Sequence, residues 1–208
     1  MSVLLFGKGI LLGLAIAAPL GPIGALCISR TLERGFWAGV AGGLGTALAD
    51  GVYALMAAAG FAAFAVLLET ISVPLQLFGG AFLLWLGWKS FRPKPPVAAA
   101  KVGARDLLST TGATFLLTIA NPATILSFAA IFAGLGLASQ GDGWSAALLV
   151  AGVFAGSMLW WIFLSGTVAL LHHRLPESFA IWVSRISGVV LVVFGLVAIV
   201  MGLRALLA

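Results

Sequence analysis

Charge is what this chain of 208 residues has least of. Asp, Glu, Lys and Arg make up 8% of it, where a soluble domain carries about 25%. With 62% hydrophobic residues and a mean hydropathy of +1.19, it cannot dress a water-soluble globule. Disordered and collagenous classes are excluded too. Cysteine is nearly absent. Cys27 stands alone, which rules out an intramolecular disulfide and a carrier of thiol reductant that exchanges two cysteines. Six acids and two histidines are too few for a metal cluster or a paired-carboxylate centre. No metal, no cofactor and no enzymatic activity are therefore expected. The net charge of +5 would suggest nucleic acid in a soluble protein. Here the basic residues lie between apolar runs, where topology accounts for them, and no nucleic-acid partner is expected.

What the chain does have is long apolar runs, so the lipid bilayer is its expected solvent. A spanning helix needs about 20 apolar residues. Six runs qualify, at roughly 9–29, 36–66, 71–91, 107–137, 144–171 and 180–203. They lack the alternation of a β-barrel, and the fold expected is all-α and integral to the membrane. The first run continues through Cys27-Ile28, too long for a signal-peptide core, so it is expected to stay as a span. Segment 92–106, with Pro93, Pro95 and Pro96, is the only sizeable polar stretch. It reads as an extended linker between units 1–91 and 107–208.

Basic residues fall unevenly on the two sides. Arg30, Arg34, Lys89, Arg92, Lys94, Lys101, Arg105, Arg174 and Arg185 share one side, and Lys8 and Arg204 the other. The positive-inside rule then puts loop 92–106 in the cytoplasm and both termini outside. Trp37, Trp85, Trp88, Trp144 and Trp182 lie near the expected helix ends, as an interfacial belt requires.

The two units resemble one another. Pro19-Leu20-Gly21-Pro22 matches Ile119-Ala120-Asn121-Pro122, Ala41-Gly42 matches Ala151-Gly152, and Gly80 and Gly87 match Gly188 and Gly195. Three spans per unit force the copies to enter the membrane from opposite sides. Two inverted three-helix repeats, a construction typical of secondary transporters, are therefore expected.

Helices 1 and 4 are expected to break at mid-membrane, at Pro19, Gly21, Pro22 and Gly24 and at Asn121-Pro122. Proline removes a backbone hydrogen bond, and the freed groups need protein or a water-lined cavity. Broken helices at corresponding depths point to a substrate site. Freed amides would suit a carboxylate and freed carbonyls an ammonium. Asp50 is the one acid expected deep in a span, at about 2.5–3.5 kcal/mol on insertion scales, and should face the bundle interior. Gly39, Gly43, Thr46 and Asp50 recur at spacings of four, three and four, making one small and polar stripe. Tyr53 is placed to hydrogen-bond the carboxyl group. Asp50 is read as binding either a substrate amine or a coupling proton. Thr118, Thr124, Ser127 and Ser157 could supply hydroxyls to a cavity or bond back to their own helices. Trp160-Trp161 lie deep in the fifth run, where a ring could line the substrate path, with lipid contact or core filling the favoured assignment.

Taken in order, Pro19-Leu20-Gly21-Pro22-Ile23-Gly24, Gly39 to Asp50 with Tyr53, a basic loop and Asn121-Pro122 resemble the LysE/RhtB family of lysine, homoserine and threonine exporters. The resemblance covers essentially the whole chain. It implies export of amino acids or related metabolites from the bacterial cytoplasm across the inner membrane by proton antiport, with Pro22, Gly24, Asp50, Asn121 and Pro122 as functional positions. One deep carboxylate and no deep base favour a neutral or basic amino acid over a dicarboxylic one. The partners expected are that substrate, protons and lipid, and a homodimer is an assembly the sequence allows. The rival reading is a small-solute channel or a structural subunit of a membrane complex.

Overall fold

The computed structural model describes residues 2–19, 21–91, 103–121, 124, 127–128, 143–172 and 177–207. Among these there are helices and no strands. In chain order they are α1 (Ser2–Ala17), α2 (Pro22–Arg34), α3 (Phe36–Ser90), α4 (Ala104–Ile119), α5 (Gly143–His172) and α6 (Glu177–Leu207). Phe36–Ala58, Gly143–Leu171 and Ile181–Leu207 are each long and apolar enough to cross a membrane. The pair Val3–Ala17 and Pro22–Arg34 qualifies together, bent by 84°. Most of the linker 92–106 and most of the expected fourth span beyond Asn121 lie outside the described residues.

The expected spans 36–66 and 71–91 follow one another within a single helical element, Phe36–Ser90. A straight helix of 55 residues would be about 80 Å long, against a hydrocarbon core of about 30 Å. It must therefore fold back, and its contacts say so. Ser187 donates to the Ala25 carbonyl at 2.9 Å and Ser29 meets Ser184 at 2.9 Å, so α2 and α6 run antiparallel. Gly80 faces Gly195 and Gly87 faces Gly188, so 73–90 also runs against α6. Gly39 faces Thr31 and Gly42 faces Cys27, so the first arm of α3 runs against α2. The two arms of α3 thus point in opposite directions, and the run reverses between residues 58 and 73.

The turn from α2 into α3 needs Gly35, whose φ of +86° is the left-handed value that a side chain disfavours. Packing elsewhere rests on small residues, as in other helix pairs in lipid. The α1–α5 contact brings Gly9 against Gly152 and Gly13 against Val153 and Ser157. Around the outside the molecule is apolar, with Val189, Val193, Leu196 and Val200 of α6 exposed. The five tryptophans expected at the interface are all exposed.

A polar knot closes the far end of α2. Glu33 Oε1 accepts hydrogen bonds from Ser29 at 2.8 Å and from Ser184 of α6 at 2.7 Å, and Arg30 lies 3.6 Å from Oε2. Arg34 reaches Asp106 of α4 at 3.8 Å, a solvent-exposed pair that contributes little to stability.

A Cβ on Gly13 would lie 2.1 Å from the Val153 carbonyl oxygen, whereas one on Gly7 meets nothing within 4 Å. Gly13→Ala is expected to cost about 1–3 kcal/mol through overpacking. Thermal unfolding in detergent should register this as a lower melting temperature, with Gly7→Ala unchanged.

Candidate functional site

The site forms where α1 ends and α2 begins. The last bond of α1 runs from the Ala18 amide to the Leu14 carbonyl at 2.9 Å, and the first of α2 from Ala25 to Gly21 at 3.0 Å. Pro22 is the first residue of α2, and its missing N–H costs nothing there. No side chain caps α2, so the Ile23 and Gly24 amides, at its second and third positions, have no acceptor within the helix. That end carries the positive pole of the helix dipole. Opposite it, α4 stops at Ile119, leaving last-turn carbonyls that need donors. Tyr53 supplies one through a short hydrogen bond from its hydroxyl to the Ile119 carbonyl.

The first arm of α3 and α5 form the third wall. Their facing stripes pair Gly39 with Ser165, Gly43 with Trp161, and Asp50 with Ser157. Asp50 is fully buried. Ser157 donates to its Oδ2 at 2.7 Å, while Oδ1 has no partner among the described residues. A carboxylate with one oxygen unsatisfied in a water-poor interior is costly. That oxygen is the strongest unmet acceptor described in the bundle.

A cavity of about 50 Å³ lies between these walls. Of the residues expected at a site, Pro19, Gly21, Pro22, Gly24, Thr46, Asp50 and Asn121 line it, brought together from α1, α2, α3 and the end of α4. Pro122 lies outside the described residues. Tyr53 does not line the cavity. Its phenol proton goes to Ile119 rather than to Asp50, and its ring packs against Phe128 at 5.4 Å. The main chain of α4 held the stronger claim, since an orphaned helix-end carbonyl must be met.

The remaining hydroxyls divide. Thr124 lines the cavity and Ser157 holds Asp50, whereas Thr118 bonds back to the Thr114 carbonyl at 2.8 Å. Trp160 is half-buried, but Trp161 is 3% exposed and forms part of the cavity wall. The sequence allowed that role without favouring it, because an indole within an apolar run also reads as core.

Removing Ser157 would leave both Asp50 oxygens without a described partner. Ser157→Ala is expected to cost about 1–3 kcal/mol, and much less in an Asp50→Asn background. A double-mutant cycle on unfolding in detergent should give a coupling of about 1 kcal/mol or more.

Comparison with known proteins bears on this geometry. The family described as "LysE type translocator" matches residues 14–202. The "Putative amino acid efflux protein YcgF" of Bacillus subtilis is 28% identical over 98% of this chain and 99% of its own length. The "Uncharacterized membrane protein YahN" of Escherichia coli is 30% identical over 81% of the chain and 77% of its own. The "Chemotactic transduction protein ChpE" of Pseudomonas aeruginosa is 30% identical over 75% and 78%. No solved structure gives a significant match.

Proposed function

Because the chain belongs to the LysE type translocator family, and is thus a multi-pass membrane transport protein, we propose that it exports a neutral or basic amino acid, or a close derivative, from the bacterial cytoplasm by proton antiport. The observation that carries this reading is the half-satisfied Asp50 carboxylate beside an uncapped helix start in one cavity. Oδ1 draws the substrate ammonium, and the Ile23 and Gly24 amides take the carboxylate. Thr46 and Asn121 complete the chamber, with Pro19, Gly21 and Pro22 keeping its backbone open. Tyr53 acts from behind, by fixing the end of α4. A proton arriving at Asp50 removes the charge that holds the ammonium, so substrate and proton occupy the site in turn.

The two halves, 1–91 and 107–208, act as inverted repeats joined by a cytoplasmic linker, with both termini outside. Pairings across the bundle support this. Gly42 faces Thr110 and Thr114 of α4 as Gly152 faces Gly9 of α1, so the first helix of each half packs on the second of the other. Gly80 against Gly195 and Gly87 against Gly188 are the same contact when the halves are exchanged. Such equivalence supports alternating access, because two similar halves can trade inward-open and outward-open arrangements.

The test is transport in proteoliposomes, using a panel of labelled amino acids with and without an imposed pH gradient. Wild type should move one or more of them faster with the gradient, and Asp50→Asn should lower that component at least tenfold. Gradient-driven transport that survives the substitution would remove Asp50 as the proton site.

A further inference from the structure

We infer that Trp161 reads the substrate's carboxylate, that Gly43 positions its indole, and that the substrate is an α-amino acid with a short uncharged side chain. This rests on the reading of the cavity as the transport site and adds to it a residue and a substrate class. Trp161 lines the same cavity as Asp50. Its Nε1–H is buried and has no acceptor among the described residues. An indole nitrogen can only donate, and buried tryptophan usually finds a partner for it. Two residues that line one cavity thus carry an unmet acceptor, Asp50 Oδ1, and an unmet donor, Trp161 Nε1–H. An ammonium and a carboxylate on one carbon complement that pair, and the free amides of Ile23 and Gly24 add donors for the carboxylate.

Gly43 explains why the indole stands where it does. A Cβ at Gly43 would lie 2.1 Å from Trp161 Cβ, 2.6 Å from Cγ and 3.3 Å from Cδ1, the ring atom next to Nε1. The base of the Trp161 side chain thus sits over Gly43, one turn from Thr46 and two from Asp50, and any side chain at 43 would displace it.

Charge and size set the class. Among the described residues Asp50 is the only ionisable one lining the cavity, whose other walls include Ile16, Ala17 and Ile23. A second ammonium or second carboxylate on the substrate would be buried without a counter-charge. At about 15 Å³ per water-sized group, 50 Å³ takes the amino-acid head and little beyond it.

Counterflow of labelled L-alanine in proteoliposomes tests this, with unlabelled L-alanine, L-alaninamide, L-lysine and L-glutamate as competitors. Wild type should carry alanine, with lysine, glutamate and alaninamide each at least tenfold weaker. Trp161→Phe keeps the ring and loses the N–H. It should weaken competition by alanine about tenfold, and by alaninamide less than threefold. Gly43→Ala should reproduce that pattern by moving the indole, which guards against a packing artefact peculiar to phenylalanine. The inference falls if wild type ignores alanine, if lysine or glutamate competes as well as alanine, or if Trp161→Phe weakens alanine and alaninamide equally. These ratios are read with Asp50 intact. Failure of the Asp50 proton role would leave them standing, and their failure would leave gradient-driven export standing.

Discussion

One buried carboxylate constrains the whole arrangement. Asp50 sits fully buried in a helix whose other flank, at Leu48, Val52 and Leu55, is exposed to the apolar surroundings. Facing those surroundings would cost a charged group several kcal/mol, so the first arm of α3 can present only one side to the interior. That side is the stripe of Gly39, Gly43, Thr46 and Asp50, small enough for α5 to approach until Ser157 reaches the carboxylate at 2.7 Å. Close approach in turn places Trp161 over Gly43. Lateral position, rotation and the identity of the facing helix all follow from the need to shelter one acid.

The break between α1 and α2 meets the same need from the other side. An uninterrupted helix would present a closed cylinder to Asp50, with its amides already paired. Pro19, Gly21 and Pro22 prevent that, and the chain resumes as α2 after a bend of 84°. Backbone donors thereby open beside a carboxylate, a juxtaposition that lipid-facing chain could not sustain. The cavity is polar because two helices stop there.

Much of this could be read in the residues. The lone deep acid, the proline-glycine break and the Asn121 position are local signals, and each has a physical meaning that needs no partner. What stayed hidden depends on partners far along the chain. Ser157 lies 107 residues from Asp50, and nothing local distinguishes it from a serine bonded to its own turn. Tyr53 was close enough in sequence to claim Asp50, yet the orphaned end of α4 claimed its proton first. The reversal within α3 was legible as two apolar runs separated near Glu69-Thr70.

A second acid shows by contrast what sets Asp50 apart. Glu33 is also partly buried, at a helix contact. Its surroundings differ. Two serine hydroxyls meet one oxygen and Arg30 stands near the other, so both oxygens are served and the charge has a counter-ion. A group so satisfied gains nothing by admitting a ligand, and it joins α2 to α6. Among the described residues Asp50 has one hydrogen bond and no cation, leaves one oxygen unpartnered, and lines a cavity. Burial says only that an acid is expensive. The donors left out around it say whether that expense is met by the fold or reserved for something that comes and goes.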